Sequence, residues 1–209
     1  MRTTIKITFT LFLILPIAVV SVRPALAQGA NQPHQEFQKL SPAELFLGYS
    51  YMRSNAPPGG CGCFNLNGGS GAFAWTLKQT PFALVGDVTF DHSGSVSTSG
   101  ESLTLSTFTG GGRYQPRLAH FSLQPFGQVL VGLAHSSGSL VQGSNPGAAN
   151  AGVAFAANVG GGLDLRTNRA LSIRLVETDY LVTTFKNGSN DHQNILRIGA
   201  GLVLRFGRR

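Results

Sequence analysis

The chain has 209 residues and a formal net charge of +7; only 12% of its residues are charged, although 42% are hydrophobic. Its 27 glycines lack the three-residue period of collagen, and its Leu, Val and Phe content is too high for a disordered chain. The mild, scattered positive charge excludes a nucleic-acid binder of the usual kind, which gathers its bases on one face, and the length fits one domain.

Residues 1–27 read as a removable secretion signal. Arg2 and Lys6 form a positive start, residues 7–20 are mostly apolar with interruptions at Thr8, Thr10 and Pro16, and Ala25-Leu26-Ala27 supplies the small residues that a signal peptidase requires. The apolar run is too short to cross a bilayer as a helix, which takes about twenty residues, and no Cys follows the cleavage point to accept a lipid. Removing 27 residues leaves 182, with 13 Lys and Arg against 9 Asp and Glu, a formal +4, and glycine rises to about 15% of the total.

Residues 28–42 are polar, with two prolines, and are expected to be a loose periplasmic lead-in. From Glu44 onward the dominant period is two, the signal of a strand. Leu45, Leu47, Tyr49 and Tyr51 share one face, while Glu44, Phe46, Gly48 and Ser50 share the other. The same alternation predicts eight strands at 43–52, 69–78, 81–91, 103–114, 124–135, 151–165, 170–185 and 194–206. Each is about ten residues, the length of a tilted bilayer-crossing strand. The connectors alternate too. Those at 78–81, 115–123 and 166–169 are compact and basic; those at 53–68, 92–102, 136–150 and 186–193 are long and rich in Gly, Ser and Asn. Short turns on one rim and long loops on the other predict an all-β, eight-stranded antiparallel up-and-down transmembrane β-barrel over 43–206, followed by a tail at 207–209.

In such a barrel the apolar face of each strand meets lipid and the face of small and charged residues lines a narrow interior. Phe73, Trp75, Phe82, Phe90, Tyr114, Phe126, Phe155, Tyr180, Phe185 and Phe206 are expected to form interfacial girdles. Glu44, Asp87, Asp164, Glu177 and Asp179 are expected to point inward with Arg113, Arg174, Arg197 and Arg205, as a structural network of paired charges. Arg174 and Asp179 have opposite parity on one strand, so a bulge near 175–177 is required to turn both inward.

Three stretches carry a family resemblance. Thr107-Phe108-Thr109-Gly110-Gly111-Gly112-Arg113-Tyr114 is followed by Pro125-Phe126-Gly127-Gln128-Val129-Leu130-Val131-Gly132-Leu133-Ala134-His135; Gly160-Gly161-Gly162-Leu163-Asp164-Leu165 is followed by Ser172-Ile173-Arg174-Leu175 and Asp179-Tyr180-Leu181. With Gly199-Ala200-Gly201-Leu202-Val203-Leu204-Arg205-Phe206, the chain resembles small outer-membrane β-barrel proteins of the OmpA-type transmembrane-domain superfamily over about 43–206. The resemblance implies residence in a bacterial outer membrane, contact with the lipid bilayer and with lipopolysaccharide, and assembly by the barrel-assembly machinery. That machinery reads a last strand with glycine and alternating apolar residues ending in an aromatic; Gly201, Leu204 and Phe206 match. Gly199 stands where a polar residue is typical, and Gly207-Arg208-Arg209 extends beyond the aromatic.

Candidate chemistry is sparse. Cys61-Gly62-Cys63 lies in the first long loop and has no second ligand pair at zinc spacing, so a strained or free cysteine pair is expected and no metal. His135-Ser136-Ser137 invites comparison with lipid A deacylases, eight-stranded barrels that use a His-x-Ser motif with an acidic residue shortly after. Between Ser137 and Arg174 the sole acid is Asp164, which belongs near the opposite rim. Gly110-Gly111-Gly112 and Gly160-Gly161-Gly162 are not followed by Lys-Ser/Thr, so they are not phosphate cradles. Asn187-Gly188-Ser189 is read as a turn-prone loop tip. The expectation is therefore a non-enzymatic barrel without cofactor, with a structural or surface-interaction role through its long loops. The first alternative is a narrow channel for small solutes, the second a lipid-modifying enzyme.

Overall fold

The computed structural model describes residues 42–55, 63–78, 80–96, 102–116, 118, 122–138, 152–186 and 191–207. The predicted signal, nearly all of the lead-in, Cys61 and the loop tip at 187–189 lie outside these residues. Every regular element among the described residues is a strand: β1 (Ala43–Ser54), β2 (Phe64–Thr76), β3 (Phe82–Ser93), β4 (Leu103–Tyr114), β5 (Leu123–Ser137), β6 (Gly152–Arg166), β7 (Leu171–Thr183) and β8 (Gln193–Phe206). Each pairs antiparallel with its neighbour in sequence, and β8 returns to pair with β1, which closes the barrel.

β2 begins at Phe64, five residues earlier than expected. The stretch looks like loop because it holds Asn65, Asn67, Gly68 and Gly69. Yet Leu66 is buried opposite Met52, and the outward Asn65 and Asn67 side chains accept hydrogen bonds from the Tyr51 and Tyr49 hydroxyls. β1 runs on to Ser54, and its edge is satisfied only if β2 starts early enough to face it.

The required irregularity in β7 lies at Leu175–Val176. The register with β6 shifts between Leu163 and Asp164, and that with β8 between Arg174 and Glu177. Leu175 and Val176 consequently both face out, while Arg174 and Glu177 both face in.

The outside of the wall is apolar around the whole barrel, with Leu47, Phe73, Leu84, Phe108, Val129, Leu133, Phe155, Tyr180 and Leu202 all exposed. A soluble protein does not present an apolar patch of this extent to water; it is the surface of a barrel built for a bilayer. Eight of the ten expected girdle aromatics face outward. Phe126 and Phe185 do not, which corrects their assignment. Phe126 shares the inward parity of Gln124 and Gln128, and Phe185 lies beyond the end of β7, where the chain has left the wall and turns inward.

The interior is filled in layers. Toward the long-loop rim Met52, Leu66, Leu105, Ala134, Ala154, Ala156, Leu181, Phe185 and Ile195 form one apolar cluster. Toward the short-turn rim Phe46, Ala72, Ala74, Ala83, Val85, Leu130 and Val203 form another. Charged side chains occupy the space that these two leave.

Candidate functional site

All nine residues expected to form the lumen network are buried. On β7, Arg174 donates through Nε and Nη2 to the two oxygens of Asp164, at 2.8 and 3.2 Å, and through Nη1 to Glu177 at 2.6 Å. On β8, Arg197 donates to Asp179 at 2.6 and 2.9 Å, to Asp87 at 2.8 Å and to Glu177 at 3.1 Å. Glu177 thus joins the two arginines. Arg205 and Glu44 are direct cross-strand neighbours on the seam strands β8 and β1, 3.0 Å apart.

Arg113 makes no ion pair within 4.0 Å among the described residues. It donates instead to Oε1 of Gln128 at 2.9 and 3.2 Å, and the Gln128 amide nitrogen donates onward to Glu177 at 2.8 Å and Asp179 at 3.3 Å. Gln128 is therefore a relay, and Asp91 is a further inward acid that accepts a hydrogen bond from Ser50 at 3.3 Å. Sequence reasoning left both out of the network. Asp91 is four residues from Asp87 on one strand, a spacing that already put the two on one face. The lumen therefore holds six acids against four arginines.

Two aromatic rings complete the arrangement. The Arg174 guanidinium carbon lies 4.3 Å from the centre of the Phe46 ring and 4.2 Å from that of Phe126, and Arg113 lies 4.4 Å from Phe126. Cation–π attraction is strongest when the cation is desolvated, as here. Glycines make room for these rings. Gly48 and Gly201 pair across the seam, and a Cβ at Gly201 would lie 2.3 Å from the Leu47 carbonyl oxygen and 2.9 Å from the Phe46 ring. A Cβ at Gly162 would lie 2.9 Å from the Phe126 ring. Gly48, Gly162 and Gly201 are floors for aromatic side chains.

The proposed assembly-signal residues divide between the faces: Gly201 lines the interior, while Leu204 and Phe206 point outward at the end of β8. His135 and Ser137 lie on the outer face of β5, opposite Ser106 and Thr104 of β4, and Ser136 between them is buried inside. Every acid on the described strands points inward, so none of these joins His135 on the outer wall. Cys63 is exposed ahead of β2. Among the described residues no group of three or more His, Cys, Asp or Glu side chains converges as a metal site.

A closed eight-stranded wall, apolar outside and packed with paired charges inside, defines the class: a small transmembrane β-barrel. The chain has the fold of outer-membrane barrel proteins. Its structure is similar to that of Neisserial surface protein A, with a TM-score of 0.59 at 10% identity over 79% of this chain and 98% of that one. It is also similar to Ail, the attachment invasion locus protein of Yersinia pestis, solved in complex with the heparin analogue sucrose octasulfate, with a TM-score of 0.53 at 13% identity over 80% of this chain and 99% of that one. No protein-family model matches the chain, and no curated protein sequence matches it either.

Proposed function

We propose that this chain is an exported, non-enzymatic outer-membrane barrel that acts as a sealed scaffold. Its long connectors face the cell exterior and carry its surface interactions, while its short turns face the periplasm. The observation that carries this reading is the filled lumen. An apolar cluster fills the lumen toward each rim, Arg174 and Arg197 are ion-paired, Arg113 is held by Gln128, and Arg205 is paired with Glu44 at the short-turn end of the seam. A selective pore is lined by one sign of charge with room for water; here five of the six inward acids are ion-paired with three of the four inward arginines, and eight strands leave an interior that side chains can fill. Lipopolysaccharide is the lipid expected to surround the long-loop end, and Gly201, Leu204 and Phe206 are the part of β8 offered to the assembly machinery.

Ail's sulfated ligand is not carried over. In the sequence of the long-loop rim Arg53 and Lys186 are balanced by Glu101 and Asp191, which leaves no basic patch for a polyanion. The test is planar-bilayer recording of the refolded, heat-modifiable protein. A sealed scaffold gives no unitary current steps; reproducible channels would overturn the reading in favour of a narrow pore.

A further inference from the structure

The polar side chains of the outer wall fall into two groups. On β1, β2, β7 and β8 they are spent on each other: the hydroxyls of Tyr49, Tyr51 and Tyr180 donate to the amide oxygens of Asn67, Asn65 and Asn194. There the wall supplies both the donor and its acceptor.

Near the long-loop ends of β3, β4 and β5 it does not. His92 stands opposite Thr104, Thr104 opposite Ser137, and Ser106 opposite His135, all on the outer face. Directly opposed side chains are about 5 Å apart at Cβ, so these five residues on three neighbouring strands make one surface. Asn67 of β2, opposite His92, and Val153 of β6, opposite His135, bound it on either side. Within it His92 Nδ1 and Thr104 Oγ1 share a hydrogen bond of 2.9 Å. The exposed His135 and the half-buried Ser106 and Ser137 have no side-chain hydrogen bond to any described residue. Nor does a carboxylate stand among them, because every acid on the described strands is inside the barrel. The patch therefore presents imidazole and hydroxyl donors whose acceptors have to come from outside the wall.

A second feature sets its depth. Phe90 is opposite Ser106, and its ring meets that of Phe108 edge-on, with centroids 5.8 Å apart. Both rings are exposed on the lipid side. Interfacial aromatic rings sit at headgroup level, so the donors beside this pair and just beyond it lie where lipid phosphates are. An ionised phosphate group is rich in acceptors, the complement of such a patch, and hydrogen bonds to a charged acceptor are the strong ones.

We propose that the outer face of β3–β5 at the long-loop end, through His92, Ser106, His135 and Ser137, binds the phosphate groups of the lipid in the leaflet around it. The proposal deepens the reading that lipopolysaccharide surrounds the long-loop end, and rests on it.

The experiment is native mass spectrometry of the protein refolded in phosphatidylcholine vesicles that carry equal amounts of diphosphorylated lipid A and of lipid A stripped of its phosphates. The lipid retained on the barrel is identified by mass. Wild type is expected to keep the phosphorylated form by about tenfold over the other, the weight of one hydrogen bond to a charged acceptor. The preference should collapse in Ser106→Ala/His135→Leu/Ser137→Ala and survive in Tyr49→Phe/Tyr51→Phe, whose hydroxyls are already spent. Equal retention of the two forms by wild type would overturn the proposal. So would a preference that persists in the triple variant, or one that follows Arg53 and Lys186 and is lost in Arg53→Gln/Lys186→Gln. Should the triple variant not fold, His135→Leu alone decides, with a loss of about threefold or more expected. Failure of the underlying reading is separately visible, because a membrane-impermeant maleimide would then not label the exposed Cys63 on intact cells carrying the Cys61→Ser variant.

Discussion

Arg174→Met tests the lumen network at its most enclosed point. The guanidinium is fully buried, holds both oxygens of Asp164, reaches Glu177 at 2.6 Å and lies against two aromatic rings. Methionine keeps much of the volume and the contact with Phe46 and Phe126, so the cavity contribution is small. The loss falls on Asp164, for which Arg174 is the sole ion-pair partner within 4.0 Å among the described residues, whereas Glu177 retains Arg197 and Gln128. Breaking a buried pair and leaving one charge uncompensated costs about 3–5 kcal/mol. Because the partners of Glu177 persist, the lower half of that range, about 3 kcal/mol, is expected. Arg174→Met/Asp164→Asn removes the orphaned charge and should recover most of it, so the double-mutant cycle should give a coupling of at least about 2 kcal/mol. Urea unfolding in phospholipid vesicles, followed by tryptophan fluorescence of Trp75, measures all four species. A loss below about 1 kcal/mol for the single variant, or additive losses in the cycle, would refute the view that this pair is dry and essential to the packed lumen.

Three further outcomes are expected. Glu44→Gln and Arg205→Gln should each lower the urea midpoint, and the double variant should lose less than the sum, because the two residues are paired across the closing seam at 3.0 Å; additive losses would remove the pair from the account of closure. Val129→Arg, at a position 60% exposed on the outer wall, should cost about 2–4 kcal/mol near the bilayer midplane, whereas Leu84→Arg, equally exposed but paired with Trp75 of the aromatic girdle, should cost less, about 0–1 kcal/mol. Ala74→Ser, which faces the interior, should fold nearly as wild type in the same vesicle-insertion assay, and equal effects from all three would show the facing to be wrong. Gly201→Val should destabilise by at least about 2 kcal/mol, because its branched side chain meets the Leu47 carbonyl and the Phe46 ring; a wild-type midpoint in urea would show that the floor under Phe46 is not needed.

The strand count, the antiparallel closure and the facing of the charged residues were legible because period two is a local property that burial imposes on each strand. Aromatic type misled where parity did not. Phe126 alternates with Leu123 and Val129 just as its neighbours Gln124 and Gln128 do, and that spacing carried more information than the apolar character of its ring. Phe185 offered no such signal, since it lies past the last residue of β7. The early start of β2 was concealed by asparagines whose amides bond to tyrosines on β1, a cross-strand complement that no single segment displays. Which carboxylate meets which arginine was least legible. Asp87 and Arg197 are 110 residues apart, on strands that are not neighbours, and they meet across the lumen because the stagger of the whole barrel brings them to one height.

The charged interior also bears on how the barrel selects one register. A one-residue slip of a strand sends its inner face outward. For β8 that move would carry Arg197 into the lipid, at about 2–4 kcal/mol near the midplane, would turn Arg205 outward at the level of Phe206, where the cost is about 0–1 kcal/mol, and would leave Glu44, Asp87 and Asp179 without them. An interior of Leu in place of these arginines would pack as well, yet both faces of β8 would then be apolar and the slip would carry no electrostatic cost. The Leu double variant Arg197→Leu/Arg205→Leu, made in a Glu44→Gln/Asp87→Asn/Asp179→Asn background so that no buried acid is orphaned, is therefore expected to fold while losing the uniqueness of the β1–β8 seam. Disulfide trapping reads this directly, in a background with Cys61 and Cys63 replaced by serine. Tyr49→Cys with Ala200→Cys reports the native pairing, and Tyr49→Cys with Gly199→Cys reports a one-residue slip. Wild-type lumen residues should allow only the first cross-link, whereas the Leu double variant should yield both. If the double variant still gives the first cross-link alone, register is held by the turns and the remaining strands, and the arginines contribute stability without specificity.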